Sequence, residues 1–417
     1  MSQSRPSLRG RTAALTLAFA AILTLSTTPH ALSPQPPSTV TDSAGVLIVE
    51  TTSPAWPPGT GWRLASEPAL TIGDESGDLN YMFQGVSQAF RMDDGTIVAV
   101  DRLASQISLF DAAGVFVRSF GGRGEGPGEF QILQYVWASG DTIRASDNLL
   151  SRISVFDRDG NVLETIPVEV APGMGSATAH TQFADGAILV LNTSSGGVRL
   201  GTGDVIEGGV WTLSRYSPGG RFMNAISGLR GSSRWEHGIQ GLSPGMYLPF
   251  SVGIPAYASG EDHIYAGRGI EPGIGRWNHD GTLSRLVRWA APERPVSDQD
   301  RRRFREASSA APRYVEPTAW NRYLREVPFP ARIPVYRRLI LDADRNLWAE
   351  RYRAPWEVEP SWYVFDEQGV WLGEVATPPG LHVFEIGTDY VLGRYRDEFD
   401  VQSVVMIPLD RGGDPGR

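Results

Sequence analysis

The chain has 417 residues and a formal net charge of -9 at pH 7, so its field repels a phosphate backbone and nucleic acid is not an expected partner. It contains 47 Gly, 30 Pro and 12 Trp, a composition that favours many turns and aromatic-packed sheets. Cysteine is absent, which excludes disulfides and the lipid-bearing cysteine of an exported lipoprotein.

The first predicted element is a secretory signal peptide over residues 1–31. Three arginines precede the uncharged apolar run Ala13–Leu25, and small residues follow it up to Ala31. The run is short for a membrane span of about 20 residues, which favours cleavage over a retained anchor. Removing the three arginines takes the charge from -9 to -12 (-9 - 3). We expect a periplasmic or extracellular protein with no stable membrane insertion after cleavage, and a Pro-rich linker over residues 32–44.

A repeated unit dominates the rest of the chain: an alternating apolar run, an aromatic residue, and a tight turn that ends on glycine. The turns are Phe110–Gly114, Phe156–Gly160, Tyr216–Gly220, Trp277–Gly281 and Phe365–Gly369, with Ile407–Asp410 as a degenerate sixth. Period-two patterning and spacing of this kind predict four-stranded blades of a β-propeller.

The predicted fold is all-β: one six-bladed β-propeller over residues 45–410, followed by a tail at 411–417. The chain ends soon after the sixth unit, so the last blade lacks an outer strand. Residues 69–73 are predicted to supply that strand and close the ring, which removes an exposed edge. We expect a monomer.

A small helical insertion is predicted at residues 291–333, between blades four and five. Ser297 followed by Asp300 is typical of a helix N-cap, and Pro317 suits the first turn of a second helix.

Two stretches, Phe110–Phe130 and Gly140–Gly160, resemble NHL-type repeats. More closely, the chain resembles exported bacterial six-bladed β-propeller proteins, whose N-terminal segment is similar to Asp42–Glu50 followed by Pro54–Trp56. The resemblance implies this fold and an exported location. It implies no common activity, because a fold does not define a function.

Strand order places the longest connections, residues 192–208, 228–250 and 290–334, on one end of the propeller. Long loops on a rigid scaffold are the usual place for a binding surface, although drift of tolerant surface loops would give the same pattern. No catalytic triad or nucleotide motif occurs, so the preferred function is a non-catalytic scaffold that binds a protein, peptide or glycan without a cofactor. The candidate contacts are Arg123, Glu125, Arg234, Trp235, His237 and Arg268.

An alternative is a metal-dependent lactonase or lyase that acts at the central channel. Asp101, Asp147 and Asn192 end the second strands of blades one to three, and Glu271 lies close to the equivalent place in blade four. Some gluconolactonase-class propellers hold Ca²⁺ or another divalent cation with carboxylate and amide oxygens, and the cation polarises a lactone carbonyl; these four residues are the nearest approach to such a ligand set that the sequence offers. Acids and amides at strand ends also cap turns. His180, on the inner strand of blade three, could face the channel or pack within it.

Overall fold

The structure is a computed structural model that describes residues 38–73, 77–194, 203–243, 245–313 and 315–412. The predicted signal peptide lies outside these residues. Within them, no helix is both long enough and apolar enough to cross a membrane.

Four strands and one 3-10 turn, Leu79–Tyr81, precede the first complete blade. Strand β1 falls inside residues 32–44, which the sequence analysis assigns to a linker; it forms a hairpin with β2. Ala44 and Gly45 close this hairpin with φ of 54° and 85°, the conformation that a two-residue hairpin turn requires. The strands are β1 (Ser38–Ser43), β2 (Val46–Thr51), β3 (Arg63–Leu64) and β4 (Leu70–Ile72).

Blades one to three are antiparallel meanders of four strands each. Blade one holds β5 (Val86–Arg91), β6 (Ile97–Asp101), β7 (Gln106–Phe110) and β8 (Phe116–Gly121). Blade two holds β9 (Leu133–Ser139), β10 (Thr142–Asp147), β11 (Arg152–Phe156) and β12 (Val162–Pro167). Blade three holds β13 (Met174–Gln182), β14 (Ile188–Ser194), β16 (Val210–Tyr216) and β17 (Phe222–Arg230), with the short β15 (Val205–Ile206) between its middle strands.

The second half of the chain follows the same plan with additions. Strand β18 (Arg234–Glu236) lies between β15 and β19 (Gly245–Tyr247) in a small separate sheet. Blade four holds β20 (Ala256–Ser259), β21 (His263–Gly267), β22 (Gly273–Asn278) and β23 (Leu283–Trp289). Helices α1 (Asp298–Ala307) and α2 (Pro317–Glu326) come next. Blade five holds β24 (Tyr336–Leu341), β25 (Leu347–Arg351), β26 (Ser361–Phe365) and β27 (Trp371–Ala376), and blade six holds β28 (His382–Ile386), β29 (Tyr390–Arg396) and β30 (Gln402–Asp410).

The glycine that ends each aromatic turn is needed for its backbone conformation. The five turn glycines all have φ between 78° and 88°, where a side chain is strained. In three of the five turns an aspartate follows the aromatic residue and completes the turn: Asp111 Oδ1, for example, accepts hydrogen bonds from the backbone N–H groups of Ala113 and Val115, each at 2.9 Å. Local sequence therefore sets the third-to-fourth-strand turn of blades one to five.

Hydrophobic cores lie between neighbouring blades. One core joins each successive pair of blades, and another joins blade six to blade one. The strands in the middle of a blade are covered on both faces, which is why all five residues of β6 are buried. The core between blades six and one contains Ile72 of β4 together with Phe110 and Leu392.

The N-terminal strands run past the outer sides of the last three blades. Strand β2 pairs in parallel with β23, so blade four has six strands. The backbone N–H groups of Ala55 and Trp56 then donate to carbonyls of β27, at 3.0 and 2.8 Å. Finally β4 pairs with β30 in antiparallel register, with Ile72 opposite Val404. Strand β4 thus lies beside β30 in the sheet of blade six.

Arg411, six residues before the end of the chain, belongs to the folded domain, although the sequence analysis assigns it to a tail. Its guanidinium stacks over Trp62, 4.3 Å from the ring centroid, and forms ion pairs with Asp342 at 3.0 Å and Asp344 at 3.3 Å.

The helical insertion lies between β23 and β24. Ser297 caps α1 through a capping box with Asp300, and Pro317 occupies the first turn of α2. Trp320, Tyr323 and Leu324 are the buried residues of α2, and they pack in a cluster with residues of the connection between blades three and four.

Candidate binding site in the central channel

Inner strands of all six blades line a central cavity of about 520 Å³, here called the channel cavity. It includes residues at the first ends of several inner strands, such as Ser87, Arg337 and His382. Those ends face the long connections, because each inner strand follows the link from the previous blade. Polar or aromatic side chains reach the cavity from every blade: Gln88, Tyr135, His180, Tyr257, Arg338 and His382.

His180 sits among tyrosines from the blades on either side. The Tyr257 hydroxyl lies 2.9 Å from Nδ1 of His180, and the Tyr135 and His180 ring centroids are 3.4 Å apart. Burial lowers the pKa of His180 to about 3, because desolvation disfavours the imidazolium. Burial also raises the pKa of both tyrosines. At neutral pH the group is therefore uncharged, and it offers hydrogen bonds to the cavity without acting as a poised acid or base.

The opposite side of the cavity is positively charged. Arg337 and Arg338 of β24 both form ion pairs with Glu350 of β25, the second at 3.1 Å. Strict alternation would send adjacent side chains to opposite faces of the sheet, but the register shifts between Tyr336 and Arg338. A bulge of this kind re-aims a side chain, so both guanidiniums reach one carboxylate.

Blade six supplies the remaining groups on this side. Arg338 Nη1 donates to Nε2 of His382 at 2.8 Å, and Arg394 of β29 donates to the Val86 carbonyl at 2.8 Å. His382 pairs directly with Arg394 in the sheet. Burial, with the positive charges of Arg338, Arg394 and Arg337, lowers the pKa of His382 to about 2. Its imidazole is therefore a neutral acceptor, and the three guanidiniums, here called the arginine cluster, carry the local charge.

The predicted contacts Arg123 and Glu125 lie in the exposed loop after β8. Arg152 fastens this loop by donating to the carbonyls of Glu125 at 3.0 Å, Gly126 at 2.6 Å and Glu129 at 3.0 Å. The Glu125 side chain bonds to Gln131. These hydrogen bonds hold the loop in place as the connection between blades one and two, and Arg123 remains exposed.

Two of the residues predicted to contact a ligand are instead buried. Trp235 is 7% exposed and His237 is 3% exposed. The Trp235 indole donates to the Gly203 carbonyl at 3.1 Å and packs with Tyr323 in the cluster beneath α2. The prediction for this pair is therefore wrong: burying an indole against a helix outweighs presenting it to solvent. Arg234, on the same strand, is half-buried; it donates to the Gly245 carbonyl at 2.6 Å and lies over Tyr247.

Arg268 and Glu271 are both exposed. They line a cleft of about 340 Å³ on blade four together with Trp277 and Arg288. This cleft and the channel cavity share no lining residue.

The residues of the metal alternative are engaged in other contacts. Asp101 accepts hydrogen bonds from the backbone N–H groups of Gln84 and Ala104, and Asp147 does the same for Gln131 and Leu149. Asn192 is fully buried and donates to the Tyr216 hydroxyl at 2.9 Å. Among the described residues, no three His, Cys, Asp or Glu side chains gather where they could hold a metal ion.

Sequence reasoning missed the arginine cluster. A usable signal was present, because two adjacent arginines open the predicted inner strand of blade five and His382 opens that of blade six. No signal marked Arg394, which lies on a second strand, or the bulge that turns Arg337 and Arg338 toward the same carboxylate.

Comparison with known proteins places the chain among β-propellers. A family described as a 6-bladed beta-propeller matches residues 81–183, which span blades one and two and the inner strand of blade three. A search of curated proteins gave no match.

Solved structures with similar folds share little sequence with this chain. A Bacteroides fragilis protein considered to be exported is 13% identical, with 87% of this chain and 99% of that chain covered and a TM-score of 0.47. A Bacteroides vulgatus protein of the duf4221 family is 12% identical, with coverage of 84% and 99% and a TM-score of 0.47. A gluconolactonase from Xanthomonas campestris is 13% identical, with coverage of 86% and 99% and a TM-score of 0.43. These likenesses concern the fold alone.

Proposed function

We propose that this chain is an exported β-propeller scaffold that binds a peptide or glycan ligand at the long-loop end of its central channel. The observation that carries the proposal is the channel cavity, where hydrogen-bonding side chains from all six blades converge. Concave sites lined by aromatic surface with a few placed polar groups are the usual form of a ligand pocket.

The size of the cavity favours a small ligand or the end of a chain over a folded protein surface. Its volume of about 520 Å³ lies within the range of roughly 300–1,000 Å³ that small-molecule pockets occupy. Tyr135, Tyr257 and Phe384 provide aromatic surface, and His180 provides a polar group. This combination suits a sugar ring or a peptide side chain.

Among the described residues, no contact favours the metal-dependent alternative. Asp101 and Asp147 already accept several backbone hydrogen bonds each, so a cation would have to displace those bonds. We therefore propose a function without a resident metal.

Export is the second part of the proposal, supported by the arginines, apolar run and small-residue exit at the N-terminus. N-terminal sequencing of protein recovered from the cell envelope tests it, and a mature product that begins at Met1 would contradict it.

Blocking the channel tests the binding function. Ser87 of β5 lines the channel cavity, and Ser87→Trp would fill part of it. Ser119 of the outer strand β8 is exposed, so Ser119→Trp is a matched control. Peptide and oligosaccharide libraries are screened against wild-type protein by native mass spectrometry. We expect at least tenfold weaker binding of the captured compounds in Ser87→Trp and unchanged binding in Ser119→Trp. Equal binding in both folded variants would contradict a site in the channel.

A further inference from the structure

The arginine cluster carries more positive charge than its surroundings neutralise. The guanidiniums of Arg337 and Arg338 share a single carboxylate, that of Glu350, whose side chain is 9% exposed, and the third guanidinium, that of Arg394, comes from the strand residue paired with His382. His382 adds no charge, because it accepts a hydrogen bond from Arg338 as a neutral imidazole. Like charges held close together in a partly buried place are costly unless an opposite charge joins them.

Hydrogen-bonding capacity is left over in the same place. Within the described part of the chain, Nη2 of Arg338 and Nε of Arg394 are buried and have no hydrogen-bond partner. Buried donors are normally paired, and an exception calls for an explanation such as a ligand. Arg337, by contrast, has a side chain that is 42% exposed and lines the channel cavity beside Arg338.

The cluster is also held in position before any ligand arrives. Glu350 and His382 fix Arg338 from two sides, and the guanidinium of Arg338 lies over Trp362, 5.2 Å from the ring centroid. The Val86 carbonyl holds Arg394. A guanidinium fixed in this way loses little side-chain entropy on binding, and Nη2 of Arg338 remains as a charged donor for an oxygen of an oxyanion.

We propose that Arg337 and Arg338 bind an oxyanion, a carboxylate or phosphate group, of a ligand whose body lies in the channel cavity. Arg394, which pairs with His382 in the sheet of blade six, adds positive potential beside these two arginines. The uncharged remainder of the ligand packs against Tyr135, Tyr257 and Phe384, which line the same cavity. This inference rests on the proposed binding function and names the chemistry that the ligand must carry.

The charge of this site does not depend on pH over the ordinary range. Burial lowers the pKa of Arg338 and of Arg394, but a guanidinium starts from so high a pKa that it stays protonated at neutral pH. The chain as a whole carries a formal charge of -9, so general electrostatics would repel an anion from most of the surface. Binding of an anion would therefore be attributable to the arginine cluster and not to the net charge of the protein.

Calorimetry with three probes tests the proposal: glucuronate for a carboxylate, inorganic phosphate for a phosphate, and glucose as the neutral match to glucuronate. Sodium chloride keeps the ionic strength constant, because screening weakens exposed charge pairs. We expect at least one of the two anions to bind at least tenfold more tightly than glucose. Preference between glucuronate and phosphate identifies which source of the oxyanion the site accepts.

Variants locate the binding. Arg337→Gln should weaken anion binding at least tenfold, and Arg338→Lys, which keeps the charge but removes the planar fork, should weaken it as well. Arg345→Gln is the control: Arg345 is 62% exposed and pairs with Glu367 in a turn of blade five at the other end of the channel. Thermal melting without ligand shows whether each variant is folded.

The proposal is overturned if neither anion binds better than glucose, or if Arg337→Gln binds anions as well as Arg345→Gln does. These outcomes are distinct from failure of the binding function itself. A neutral ligand blocked by Ser87→Trp but insensitive to Arg337→Gln would leave a working channel site and remove only the oxyanion assignment.

Discussion

At the residue scale, the carboxylates at the ends of second strands act as backbone caps. The Asp101 side chain is 4% exposed and accepts from the N–H groups of Gln84 at 2.6 Å, Gly85 at 3.1 Å and Ala104 at 3.0 Å. One carboxylate thus ties the entry of blade one to the turn that follows β6. Asp147 holds the same contacts in blade two.

Replacing this carboxylate separates the capping role from a metal role. Asp101→Asn keeps one acceptor oxygen but loses the charge and one acceptor, so we expect the free energy of unfolding to fall by about 1–3 kcal/mol. Urea denaturation measures the change. For each protein, the melting temperature in Ca²⁺ should equal the melting temperature in chelator, because a cation bound only by the native state would raise it. A Ca²⁺-dependent rise in wild type that disappears in Asp101→Asn would support the metal-dependent alternative.

At the element scale, the N-terminal strands tie the start of the chain to three blades. The hairpin of β1 and β2 pairs with β23 of blade four, the backbone N–H of Trp56 donates to β27 of blade five, and β4 pairs with β30 of blade six. Without β4, the inner part of β30 would be an unpaired edge, which natural sheets avoid.

We propose that β4 closes the ring, and a single core residue tests it. Ile72 is 1% exposed in the core shared by blades six and one, so Ile72→Ala should cost about 2–5 kcal/mol. Hydrogen exchange should also speed up at the β30 amides of Val404 and Met406, which lie opposite β4. The exposed neighbour Thr71 provides the control variant Thr71→Ala. Unchanged exchange in Ile72→Ala would show that the ring holds without this strand.

At the scale of the whole molecule, buried histidines from different blades link stability to pH. His180 of blade three has its pKa lowered to about 3, and His382 of blade six has its pKa lowered to about 2. Both are neutral in the folded protein, whereas the unfolded chain takes up protons below a pKa of about 6.5. The free energy of unfolding therefore falls as the pH decreases below about 6.5 and levels off only near the folded pKa values.

The double variant His180→Gln, His382→Gln should lose less stability on acidification than wild type does. Each neutral histidine contributes a slope of about 1.4 kcal/mol per pH unit. Denaturant unfolding of both proteins between pH 6.5 and 4.5 measures the difference in slope, because Glu385 and Asp366, whose pKa values burial raises, are present in both proteins. Identical slopes for the two proteins would show that these imidazoles are not held neutral.

The sequence by itself determined the features that local chemistry controls. Period-two runs and turns ending in glycine predicted the blades in their order, since a tight turn with positive φ depends on neighbouring residues alone. Ser297, Asp300 and Pro317 indicated two helices for the same reason, and α1 and α2 begin there.

Tertiary structure decided where side chains from distant parts of the chain meet. Trp235 and His237 belong to a loop by sequence, but packing against α2 buries them. Arg338, His382 and Arg394 converge because blades five and six bring their strands together at the channel and because a bulge in β24 changes the alternation. Periodicity fixes which face of one strand a residue occupies. The curvature of the ring and a one-residue irregularity fix which residues of other strands it meets, and no local pattern records either.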